Sequence, residues 1–240
     1  MPDFHDDVFF AGIAELNRRL KAKEFSAVEL TRAFLDRLEK LGPRLNALAL
    51  SLREPAVRDA RDVDSDLKRG RFRGPLQGIP FGAKDLFIVA GKPTAWGAPP
   101  YSGQVFDYTA TPLKKLDHAG AVLLGKLAMV ELAGGGGYRF AAASITGPAL
   151  NPWNRERWAG GSSSGSGAAV AAGLVPFALG SDLGLHPHSR RLLRRHRPAS
   201  YLRLRQPLRR HGALLDHGQG RPPGPFRRGL RPGAPGDRRR

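Results

Sequence analysis

At Gly184 the vocabulary of this chain changes, and the change limits what can fold. From Leu185 to Arg240 there is no Val, Ile, Lys, Glu, Thr, Asn or Met, while Arg, Leu, Pro, Gly and His dominate. Such Gly and Pro content disfavours a regular helix, so residues 185–240 are expected to be an irregular tail without a shared core. A fold must therefore come from residues 1–184. Sixteen Arg against two Asp place +14 of the net charge of +18 in the tail, which leaves a nearly ordinary +4 for the body. Backbone phosphates ask for little beyond cations, so the tail implies nonspecific nucleic-acid binding whatever its origin. With Tyr201 and Phe226 its only aromatics, and no RNA-recognition motif, it carries no sign of sequence-specific reading.

The body is large enough for a real core. Having no cysteine, the chain has no disulfide framework, cysteine zinc site or thiol nucleophile. Its start is acidic and no stretch approaches eighteen apolar residues, which reads as a soluble cytoplasmic protein with no membrane association. Phe9, Ile13, Leu16 and Leu20 recur at helical spacing and predict a first amphipathic helix. Ser26-Ala-Val-Glu29 has the form of a capping box, with Leu30, Phe34 and Leu38 lining the helix that follows to about Lys40. Leu45 to Leu52 reads as a strand, and Pro55 opens a third helix carrying Val57, Ala60, Val63 and Leu67. Thr111-Pro112 caps and opens another helix, and Ala121 to Leu124 reads as a buried strand. Gly134 to Gly137 with Tyr138 reads as a mobile loop, Asn151 to Asn154 as a turn, and Leu174 to Leu179 as a strand.

Two stretches look chemical. In Gly78-Ile-Pro-Phe-Gly-Ala-Lys84 a lysine sits inside an apolar strand-like run. Burying an unpaired ammonium is expensive, so Lys84 must be paired, neutralised or functional; it is a candidate base, or else a strand-end lysine reaching water or paired with Asp85. The other stretch is Ala159-Gly-Gly-Ser-Ser-Ser-Gly-Ser-Gly, running directly into Ala168-Ala-Val-Ala-Ala172. A linker has this composition but is not usually followed by such an apolar segment. A loop so free of bulk can turn N–H groups and hydroxyls toward one point at a helix N-terminus.

Taken together, Gly78 to Asp85, Ala119-Gly-Ala-Val-Leu-Leu-Gly-Lys126, and Asn151-Pro-Trp followed by Gly160-Gly-Ser-Ser-Ser-Gly-Ser166 resemble the amidase signature family. That family includes the amidase subunit of the tRNA-dependent amidotransferases. The resemblance runs from residue 9 to residue 184. It implies an α/β fold, a mixed sheet covered by helices on both faces, here incomplete. The domains are then 1–184, the N-terminal part of an amidase signature domain, and the basic tail, 185–240. It also implies a Ser-Ser-Lys triad acting on amide C–N bonds, by hydrolysis or by glutamine-dependent transfer. Lys84 matches the base and Ser162 the bridging serine on a cis peptide bond, with Gly160, Gly161, Ser163 and Asp182 supporting the loop. No cofactor and no metal are implied. The partners implied are a small amide substrate and, for a transferase, further subunits.

In the family the nucleophile follows the bridging serine by 24 residues, at the end of a segment like Gly-Thr-Asp-X-Gly-Gly-Ser-Ile-Arg. The segment begins here as Gly180-Ser-Asp-Leu-Gly184, then departs: Leu185 replaces the second glycine and His186 the nucleophile. Leu183 and Gly184 are what remains of the oxyanion hole. A frameshift would account for this, with synonymous codons chosen to fit. A family-like Gly-Ser-Ile-Arg-Ile in GC-rich codons, read from its third base, gives Leu185-His-Pro-His-Ser189. Val-Thr-Gly-Leu-Arg-Pro-Thr-Tyr-Gly in the same shifted frame gives Arg195-His-Arg-Pro-Ala-Ser-Tyr-Leu-Arg203. The chain as written is therefore expected to be an inactive amidase; the competing reading is a noncatalytic nucleic-acid-binding protein.

Overall fold

A computed structural model describes residues 4–134 and 140–181. The glycine loop expected at residues 134–138 lies almost wholly outside the described residues, and the tail expected at residues 185–240 lies wholly outside them. The chain opens with α1 (Asp6–Phe9) and α2 (Ile13–Lys21), where the apolar spacing predicts one helix. The backbone turns extended at Gly12, with φ −72° and ψ 159°, and restarts there. Phe9 still meets Phe34 edge-on at 5.1 Å between ring centres. The spacing marks which side chains share a face, and a short break leaves that unchanged.

In α3 (Ala27–Leu41) the capping box forms as expected: Ser26 Oγ accepts from Glu29 N, and the Glu29 carboxylate accepts from Ser26 N at 2.8 Å. That backbone donor holds the Glu29 carboxyl below the usual carboxylate range. A second cap comes from α4 (Arg53–Lys68), whose Asp64 accepts from Ala27 N at 2.8 Å and Val28 N at 3.1 Å. Between them, Ser26 and Asp64 satisfy the first-turn amides of α3 and tie the two helices together.

The expected strand at Leu45 to Leu52 is shorter, because Pro43–Leu45 forms a 3-10 turn and Asn46 adopts a left-handed φ of 51°. What remains is β1 (Leu48–Ser51). It joins β2 (Pro80–Lys84), β3 (Val122–Leu127) and β6 (Ala178–Leu179) in a sheet of order β1-β3-β2-β6. β1 runs antiparallel to β3, and β2 runs parallel to both β3 and β6, so the sheet is mixed. Phe81 and Phe177 stack at 5.2 Å in a core that also buries Ile79, Leu124, Leu127 and Leu174.

α5 (Thr111–His118) precedes β3, with Thr111 inside the helix and Ala110 in the cap position, so threonine does not cap it. The turn at Pro152-Trp153 joins β4 (Leu150–Asn151) to β5 (Asn154–Trp158) as a separate hairpin. The serine-glycine loop then enters α6 (Ser164–Ala171). Gly165 is indispensable to that packing. A Cβ there would lie 2.4 Å from Ala128 N and 2.5 Å from Ala47 O, so only glycine lets α6 sit this close to the end of β3.

Candidate functional site

Lys84 is the last residue of β2 and is fully buried. Beside it end β6, which leads into Gly180-Ser181, and the loop that enters α6. Parallel strands β2 and β6 therefore deliver their C-terminal ends to the N-terminus of a helix, the place where α/β sheets leave a crevice. There Lys84 Nζ donates to Ser162 Oγ at 2.7 Å and to Ser181 Oγ at 2.8 Å. The peptide bond Gly161-Ser162 is cis. Gly160 has φ 88°, and a Cβ on Gly161 would lie 2.7 Å from Val130 and 2.9 Å from the Trp158 ring, so both glycines are required where they stand.

Ser163 heads α6 without capping it. Its hydroxyl instead donates to Ser181 O at 3.1 Å and accepts from Ser181 N at 3.2 Å, which fixes the strand-end residue that also touches Lys84. Deeper in α6, Ser166 Oγ donates to Leu179 O at 3.0 Å. The hydroxyls of this loop thus clamp the end of β6 as well as lining the site. Of the residues that the sequence points to, Lys84, Ser162, Ser163, Gly160 and Gly161 come together. Asp182, Leu183, Gly184 and His186 lie outside the described residues. Sequence reasoning misses Ser181, although a hydroxyl directly after the glycine that ends an apolar strand is its signal.

The alternative reading of Lys84, a pair with Asp85, fails for a simple reason. Successive strand residues point to opposite faces. The β2–β3 register sets Ala83 opposite Lys126 and Lys84 opposite Leu127, so Asp85 follows the face of Ala83 and Lys126. Its carboxylate meets Lys126 Nζ at 2.6 Å, and both residues are buried. Burial pushes the Lys126 ammonium below its ordinary value, with Asp85 pulling the other way. Among the described residues no cluster of His, Cys, Asp or Glu is placed to hold a metal ion. Nor is any helix there long and apolar enough to cross a membrane.

The family model for amidases matches residues 29–184. The chain belongs to the amidase family. Over 172 residues it is 45% identical to a glutamyl-tRNA(Gln) amidotransferase subunit of Methylococcus capsulatus, covering 72% of this chain and 35% of that one. It is 40% identical, over 172 residues and the same shares, to the putative amidase AmiD of Mycobacterium bovis. Among solved structures, the native peptide amidase from Stenotrophomonas maltophilia superposes with a TM-score of 0.65 at 37% identity, covering 70% of this chain and 35% of that one. The mixed α/β fold is that of the amidase signature structures, and this chain spans about a third of the length of these relatives.

Proposed function

We propose that residues 1–184 are the N-terminal part of an amidase that cleaves amide C–N bonds, by hydrolysis or by transfer, and that the chain as written is catalytically dead. The observation that carries this reading is the buried contact of Lys84 Nζ with Ser162 Oγ at 2.7 Å. A neutral lysine reverses that hydrogen bond: the Ser162 hydroxyl donates to Nζ and is free to accept a proton in turn. A serine attacking the amide carbonyl would pass its proton through Ser162 to Lys84, and the protonated pair would return it to the departing nitrogen, leaving an acyl-serine for water or ammonia. The backbone N–H groups around Leu183 and Gly184 would hold the oxyanion. With His186 at the nucleophile's position, the first step has no oxygen to begin it. Removing such a nucleophile typically costs on the order of a millionfold in turnover.

That the family match stops at residue 184 supports reading residues 185–240 as an out-of-frame tail. The identity to an amidotransferase subunit supports a place for partner subunits in the transfer version of the reaction. The test is a fluorophosphonate probe applied to the purified chain and to a version with the frame restored. Labelling of the restored version alone is the expected result. Labelling of the chain as written, abolished by Lys84→Ala, would overturn the dead-site reading.

A further inference from the structure

The buried ion pair on the other face of the sheet is placed to serve the same site. Lys126 Nζ has three hydrogen-bond directions and all are used: Asp85 Oδ1 at 2.6 Å, Thr94 Oγ1 at 2.6 Å and Pro93 O at 3.0 Å. The second carboxylate oxygen of Asp85 accepts from Ala95 N at 3.0 Å. Three of these four bonds pin residues 93–95 to the ends of β2 and β3, and the fourth, Lys126–Asp85, locks the two anchors together. As a stability device this is a poor choice, because a buried ion pair is often no better than an apolar pair of equal volume. What it provides is direction: methionine fills the same space without fixing the segment's rotation or register.

The pinned segment leads straight to the serine loop. Trp96 O accepts from Leu132 N at 2.9 Å, and Gly97 O accepts from Ile145 N at 2.7 Å. Gly97, at φ 72°, lies so close to the chain at Met129 that a Cβ would approach Met129 O to 2.5 Å. Residues 129–132 are thus held on one side by 96–97. On the other side Val130 N donates to Ser162 O at 3.0 Å, and the Val130 side chain fills the space against Gly161. A change in where 93–97 sits is passed by direct contact to the peptide of Ser162.

We propose that Lys126 is a positioning residue: through Asp85, Thr94 and the 93–97 segment it sets Val130 N, and with it the placement of Ser162 against Lys84. Its catalytic meaning rests on the amidase reading, but its test does not require activity. The measurement is NMR on the full chain as it exists, following amide exchange at Val130 and the Ser162 Cβ resonance, with exchange in α3 as the internal reference. In Lys126→Met/Asp85→Asn the charges are removed together, and the amide oxygen introduced in place of the carboxylate can still accept from Ala95 N. The expected result is a folded protein with α3 protection unchanged, Val130 exchange faster by about tenfold or more, and a displaced Ser162 resonance. A folded double variant with Val130 and Ser162 both unmoved would refute the proposal. Should the double variant fail to fold, Thr94→Val decides. It removes one arm of the tripod and is expected to move the same two signals in the same direction by less, whereas unmoved signals or loss of folding in Thr94→Val overturn the inference.

Discussion

The same substitution two residues apart in α6 should have opposite effects. At Gly165 a Cβ would meet three backbone atoms, Ala128 N at 2.4 Å, Ala47 O at 2.5 Å and Ala128 O at 2.8 Å, none of which can rotate away. To admit a methyl group, α6 must retreat from β3, which also strains the bond from Gly165 N to Ala128 O, now 2.9 Å. Overpacking of this kind costs about 1–3 kcal/mol, and weakening the hydrogen bond adds about 1 kcal/mol. Alanine's better helix propensity returns about 0.5–1 kcal/mol. The net for Gly165→Ala is a loss of about 2 kcal/mol, or a fall in Tm of roughly 4–8 °C for a body of this size. At Gly167 a Cβ meets nothing within 4 Å, so only the propensity acts and Gly167→Ala should gain about 0.5–1 kcal/mol. Urea melts of the two variants beside the parent read the difference directly. Equal stability of the pair, or a gain in both, would show that α6 does not depend on close approach to β3.

Asp64→Ala removes the acceptor shared by Ala27 N and Val28 N and should cost about 2 kcal/mol, with Asp64→Asn, which keeps one acceptor, in between; urea midpoints check the order. Burial, opposed by Arg58 and aided by the charges of Asp117 and Asp62, raises the Asp59 carboxyl above its ordinary value. A raised folded-state pKa means the ionised form is disfavoured by folding, so its cost is full at neutral pH and absent below about pH 4. Asp59→Asn should therefore raise Tm at pH 7 and leave it unchanged near pH 3; the reverse pattern would reject the assignment. With sixteen Arg in residues 185–240, the chain should bind single-stranded RNA of any sequence, with affinity falling steeply and linearly on a log–log plot against salt. A salt-independent or sequence-selective isotherm in a filter-binding titration would contradict a purely electrostatic tail.

Features fixed within one turn of chain were legible in the sequence. The Ser26–Glu29 box is one, since both its hydrogen bonds join residues three apart. Lys84 and the serine loop were legible for a different reason: an ammonium in an apolar strand and a bulk-free serine loop are each costly or unusual enough to need explaining, whereas Ser162 was singled out within that loop only by the family resemblance. What stayed hidden depends on register. Nothing local says that Lys126 lies opposite Ala83, and so on the face that Asp85 enters, until β2 and β3 are laid side by side. Nor does the sequence say that Ser163 would spend its hydroxyl on Ser181 rather than on its own helix. The break at Gly12 escaped because apolar spacing survives a short interruption, and the left-handed turn at Asn46 because an asparagine can equally sit in a strand end or a loop.

The edge strand β6 has a consequence for how the molecule reaches this state. Among the described residues it pairs through only Gly82↔Ala178 and Ala83↔Leu179, and it meets β2 roughly 90 residues after β2 ends, a closure that costs about 4 kcal/mol of chain entropy. Two ladder positions do not offset that alone; the stacking of Phe177 on Phe81 and the serine clamps from α6 must assist. β6 should therefore be late to dock and early to leave. While it is away, the Gly82–Ala83 edge and the face of Phe81 are open to whatever extended segment is near, and at high concentration that is another copy. Refolding yield should accordingly fall as protein concentration rises, because a strand from a neighbour competes with Ala178–Leu179 for the same two positions.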